Sequence, residues 1–121
     1  MTEKRKSVRV ETDIDTTILN YENNQFIGKG RIIDMSVGGV RLETNIKLNI
    51  ADKITISFIL RKREYMARTG LSVTGKVEAV WKTDKENISI YGLKFIHLTA
   101  IDRERIRDFV NFKIREKETF I

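Results

Sequence analysis

The chain has 121 residues, 40% hydrophobic and 33% charged, which suits one domain with a real core and a well-solvated surface. Its 23 Lys and Arg against 17 Asp and Glu give a formal net charge of +6, a balance that favours phosphates, nucleic acid or a membrane surface without choosing among them, and that also occurs on domains where it only aids solubility. Cysteine is absent, which excludes disulfides and thiolate metal sites and fits a reducing, cytoplasmic setting; no window approaches the ~18 apolar residues of a membrane span, and the basic start lacks the apolar stretch of a secretory signal.

Residues 1–11, MTEKRKSVRVE, are charged and lack an apolar period. They are expected to form a flexible basic arm, with residues 12–121 making a single domain. Ile14 to Tyr21 is rich in β-branched and aromatic residues, a strand signal. Glu22 to Asn24 is a turn, and Gln25 to Met35 resumes as strand, so the pair reads as a hairpin. Gly38 and Gly39 break the chain and Val40 to Thr44 restarts it. Ile54, Ile56, Phe58 and Leu60 alternate, as in a half-buried strand. Arg61 to Gly70 is polar and basic, and reads as a loop or mobile connection. Leu71, Val73, Val77, Ala79 and Trp81 are expected on one face of a long strand, and Asp84 to Asn87 makes a turn.

Ile88 to Leu98 is the last strand. Its apolar parity changes between Ile90 and Leu93, which predicts a β-bulge at Gly92; such bulges help a sheet curve into a barrel. Thr99 followed by Asp102 predicts a helix start. Ile101, Ile106, Phe109, Val110 and Ile114 then predict one amphipathic helix from about Ala100 to Lys117, its apolar stripe covering an open side or end of the barrel.

The stretch with chemical promise is Arg31 to Leu42, RIIDMSVGGVRL. Asp34 and Ser36 are two apart and, in a strand, would leave the same face. A carboxylate there accepts two parallel N–H bonds, as from a guanidinium or the N1–H and N2–H edge of guanine. Gly38 and Gly39 permit positive φ and close approach of a ligand to the backbone. A plain turn explains the same residues. Arg5 and Arg9, with Lys4 and Lys6 beside them, offer planar donors that can grip phosphates and purine faces, or form only a solvated tail. A hairpin centred on Asn23 and Asn24 would place Asp34 opposite about Asp13. The arm could then fold back over the Asp34–Gly39 turn and complete a pocket suited to a purine nucleotide, guanine especially.

Arg5-Lys6-Ser7-Val8-Arg9 resembles the RxxxR motif of the PilZ domain family, and Asp34-Met35-Ser36-Val37-Gly38-Gly39 resembles its [D/N]xSxxG motif, in the same order. The resemblance covers nearly the whole chain, including the Val77 to Trp81 strand, the Gly92 to Phe95 strand and the following helix. It implies a mainly β fold, a six-stranded antiparallel β-barrel with a C-terminal α-helix, and a bacterial cytoplasmic receptor for cyclic di-GMP. By position, it implies that Arg5, Arg9, Asp34, Ser36, Gly38 and Gly39 form the ligand site. Lys4, just before RxxxR, and Trp81, whose ring could stack on a base, are further candidates. A cofactor is not implied. The ligand would order the arm and alter a surface offered to a downstream protein partner, with the chain a monomer or weak homodimer.

Two other classes compete with a receptor. An adaptor of the same fold would bind proteins and no nucleotide; the intact Arg5 and Arg9 argue against it. A nucleic-acid-binding barrel would carry exposed aromatics on one sheet face, and no such platform is evident. An enzyme is not expected, since no Cys nucleophile or metal-ligand cluster exists and the lone His97 lacks a Ser or acid partner and reads as structural.

Overall fold

Six strands, β1 (Val10–Asn20), β2 (Phe26–Met35), β3 (Gly39–Thr44), β4 (Lys53–Leu60), β5 (Leu71–Asp84) and β6 (Ser89–His97), precede one helix, α1 (Ala100–Thr119). The computed structural model describes residues 8–61 and 70–119. The expected Arg61–Gly70 connection falls largely outside the described residues. The strands close into a barrel in the order β1-β2-β3-β6-β5-β4, each neighbouring pair antiparallel. Closure removes the exposed edges that an open sheet would have to protect.

The β1–β2 turn forms because two asparagine side chains satisfy its backbone and a third asparagine takes its strained position. Asn20 Oδ1 accepts from the N–H groups of Glu22 and Asn23 at 2.8 and 3.1 Å, and Asn23 Oδ1 accepts from Gln25 N–H at 2.9 Å. Asn24 takes the left-handed conformation, φ 60°, which asparagine tolerates better than most residues. β1 begins at Val10, so the last two residues expected in the arm lie in the barrel.

Inside the barrel, Ile18, Ile32, Met35, Val40, Leu42, Ile56, Val77 and Tyr91 are fully enclosed. Among the described residues Tyr91 brings the only ring with no exposed surface, and its hydroxyl has partners. It accepts from Leu48 N–H at 2.9 Å and donates to Ile46 C=O at 3.0 Å, fastening the β3–β4 connection to β6. Helix α1 starts as the sequence predicts: Thr99 Oγ1 accepts from Asp102 N–H at 3.1 Å. Ile106, Phe109 and Val110 join the core as the helix packs on β5, β1 and β4. Ile101, expected in the same stripe, is exposed. Asp102 instead ties the first turn to β5, reaching Thr74 N–H.

The irregularities differ from the expectation. In β6 the inward residues are Ser89, Tyr91 and Leu93, one parity throughout, so there is no switch at Gly92. The extra residue opposite Gly92 and Leu93 belongs to β5: Ala79 pairs with Leu93 but Trp81 with Gly92, leaving Val80 as the bulge. Every later β5 side chain is thereby reversed. Trp81, expected on the face of Val73, Val77 and Ala79, stands outside the barrel, and Leu71 at the strand's start is also exposed. A second bulge lies in β2. Ile32 pairs with Leu42 and Asp34 with Arg41, so Ile33 is the extra residue. Ile32 and Met35 both face the core, and Asp34 between them faces out.

Replacing Tyr91 by Phe should strand Leu48 N–H and Ile46 C=O in the interior and cost about 1–3 kcal/mol. Urea denaturation measures this; an unchanged midpoint would show that the hydroxyl does not hold the connection.

Candidate functional site

The turn after β2 sets the site. β2 ends at Met35, so Ser36 does not continue the strand alternation that would have carried it to Asp34's face. It lies in the turn, 2% exposed. Its N–H donates to Gly39 C=O at 2.9 Å, while its Oγ accepts from Gly38 N–H at 3.3 Å and donates to Gly39 C=O at 3.4 Å. Ser36 therefore staples the turn. The glycines are not there for positive φ, which no described glycine adopts. Gly39 is needed for closeness: a Cβ on it would meet Leu93 C=O at 2.2 Å. Gly38 C=O accepts from Phe95 N–H at 2.9 Å, binding the turn to β6.

Register then lays out a row across the outer wall. Glu11 pairs with Asp34, Asp34 with Arg41, Arg41 with Gly92 and Gly92 with Trp81. The partner of Asp34 is thus Glu11, two residues nearer the arm than Asp13. Arg9 reaches the row directly, its Nε donating to Asp34 Oδ1 at 2.9 Å. On the other side Arg41 Nη1 lies 3.3 Å from Asp34 Oδ2. The Asp34 side chain is only 14% exposed, and the two guanidiniums offset the desolvation of its charge. Arg41 also lies over the Trp81 ring, 5.3 Å from its centroid, within cation–π range. The ring leans across Gly92, where a Cβ would stand 2.2 Å from the indole Nε1. Trp81 remains 38% exposed.

The structure thus brings together Arg9, Asp34, Ser36, Gly38 and Gly39, with Trp81 at the far end of the same row. Arg5 and Lys4 lie outside the described residues. His97 is exposed at the end of β6. Among the described residues no group of His, Asp and Glu is arranged to hold a metal ion, and no helix is long and apolar enough to cross a membrane. The sequence reasoning missed Arg41 and Gly92. A tight turn at Val37 and Gly38 pairs Met35 with Val40 and Asp34 with Arg41, the same register argument used for the first hairpin, and that signal was present in the sequence.

Chemically, the row offers a carboxylate that can accept further donors, a planar cation beside it, an aromatic face and a bare stretch of backbone at Gly92. Such a surface suits a planar, partly anionic ligand.

Comparison with known proteins supports the family and the fold. The profile of the PilZ domain matches residues 3–112. No curated protein sequence matches the chain. Solved structures share the fold, among them the following three. The inhibitor of motility MotI/DgrA of Bacillus subtilis superposes with a TM-score of 0.73 at 14% identity, over 97% of this chain and 53% of that one. The PilZ domain of Escherichia coli YcgR with c-di-GMP gives 0.67 at 13% identity, over 97% and 96%. The Klebsiella pneumoniae MrkH–c-di-GMP complex gives 0.69 at 17% identity, over 98% and 56%. The chain thus spans about half the length of MotI and MrkH and nearly all of the isolated YcgR domain.

Gly92→Ala should push the indole off its place, because a methyl group cannot share space with the ring. Trp81 is the only tryptophan, so its emission should shift to the red and acrylamide quenching should rise. An unchanged spectrum would show that Gly92 does not seat the ring.

Proposed function

The chain belongs to the PilZ domain family, and on that footing we propose that it is a bacterial, cytoplasmic receptor for cyclic di-GMP that acts by binding rather than by catalysis. The observation that carries this reading is the 2.9 Å bond between Arg9 and Asp34. It joins the second arginine of RxxxR to the acid of the DxSxxG motif on the outer wall, in a row that ends on an exposed tryptophan.

Each residue has a distinct task in this reading. Asp34 accepts the N1–H and N2–H pair of a guanine, using carboxylate lone pairs beyond the two taken by arginine. Arg9, already beside it, donates to a phosphate or to guanine acceptors, and Arg5 supplies the second guanidinium. Ser36, Gly38 and Gly39 serve through the turn, which keeps Asp34 at the barrel surface and the backbone low beside it. Trp81 offers a stacking face, and Lys4 adds charge near the arm. Ligand held between barrel and arm changes the surface presented to a downstream protein. Ordering of a segment around a ligand is an established switching mode. The complexes of YcgR and MrkH with c-di-GMP support the choice of ligand.

Calorimetric titration with cyclic di-GMP is the test. Binding is expected, and absence of heat at tens of micromolar protein would reject the reading. A charged hydrogen bond is worth about 1.5–3 kcal/mol, so Arg9→Ala should weaken binding on the order of 10–100-fold. An unchanged affinity in that variant would remove the arm from the mechanism.

A further inference from the structure

Arg41 stands at the centre of the row, between the two groups to which the proposed function gives the ligand. Asp34 and Trp81 are three strands apart in register, through Arg41 and Gly92. At about 4.8 Å per strand step, they are separated by about 14 Å. A ligand that touches both must lie over Arg41 and Gly92. Gly92 contributes no side chain, so the only side chain of the row beneath the middle of such a ligand is Arg41.

The guanidinium is held in a defined pose. One edge meets Asp34 Oδ2 at 3.3 Å, and its carbon lies 5.3 Å from the Trp81 centroid. Its Nε is buried without a hydrogen-bond partner, which costs free energy. The position is therefore not one that maximises Arg41's own hydrogen bonding. Yet the side chain as a whole is 43% exposed, so part of the guanidinium is open to solvent while Trp81 and Asp34 hold the rest.

We propose that Arg41 is a ligand-contacting residue of this site, its guanidinium serving as a planar cationic shelf on which a purine of a cyclic dinucleotide stacks. Trp81 and Asp34 keep that shelf flat. The assignment rests on the proposed function and deepens it, adding to the two sequence motifs a residue that belongs to neither. It also gives the unpaired Nε a meaning: the pose favours a flat exposed surface at the expense of one hydrogen bond. Lysine would keep the charge and lose the plane.

The test is calorimetric titration of cyclic di-GMP into the wild-type chain and into Arg41→Ala and Arg41→Lys, with acrylamide quenching of Trp81 in each free protein. Both variants should bind at least tenfold more weakly than the wild type, lysine failing to rescue, and quenching should rise in Arg41→Ala. The same substitution is then made in an Asp34→Asn background. A shelf that touches the ligand still costs affinity there, whereas a residue that only orients Asp34 costs nothing more. Wild-type affinity in Arg41→Ala, full rescue by lysine, or loss of the effect in the Asp34→Asn background overturns the shelf and leaves the receptor reading standing. Failure of the wild-type chain to bind overturns that reading and the shelf with it.

Discussion

A carboxylate that is 14% exposed cannot stand on a protein wall without cations beside it. Asp34 is that group, and much of the surface around it follows. Arg9 and Arg41 approach it from opposite strands, β1's entry and β3. The first contact fixes the chain just before the barrel begins. The second lays a guanidinium across β3 toward Trp81. One charge thus organises side chains from three segments and links them to an aromatic ring on a fourth.

Asp34 reaches the surface because β2 has one residue too many. Regular alternation from Ile32 would have sent its side chain into the core, where a carboxylate would be ruinous. The bulge at Ile33 reverses the face and lets Met35 turn inward instead. Val80 does the same for Trp81 in β5. Two independent bulges therefore turn out the acid and the aromatic at opposite ends of one row. Bulges tend to occur where a side chain must be re-aimed. Here each also leaves the barrel sealed, since Met35 and Ala79 remain buried beside them.

The strands, turns and helix were legible because their signals are local. The alternation of Ile54, Ile56, Phe58 and Leu60, the asparagines of the first turn and the Thr99 cap all act through nearest neighbours. The family was legible from two short motifs. What escaped was the facing of particular residues. The apparent parity change in β6 arises because the apolar Ile90 is not a core residue, whereas the ring of Tyr91 is fully buried, its hydroxyl having two backbone partners. The actual bulge sits on the other strand, in a run of apolar residues where either facing of Trp81 reads equally well. Gly39 was legible as a necessity but for the wrong reason: the demand is room against Leu93, not a left-handed backbone.

The same register also fixes how the acid meets the rest of the wall. Strand pairing sets Val10 opposite Met35, and Arg9 is anchored on Asp34, so the entry to β1 and the acid of β2 are held at one point. From there the row crosses β3 and β6 to Trp81 on β5, three strand steps or about 14 Å. Those steps belong to a closed barrel, so the spacing of Asp34, Arg41 and Trp81 is set by strand pairing and not by the side chains that fill it.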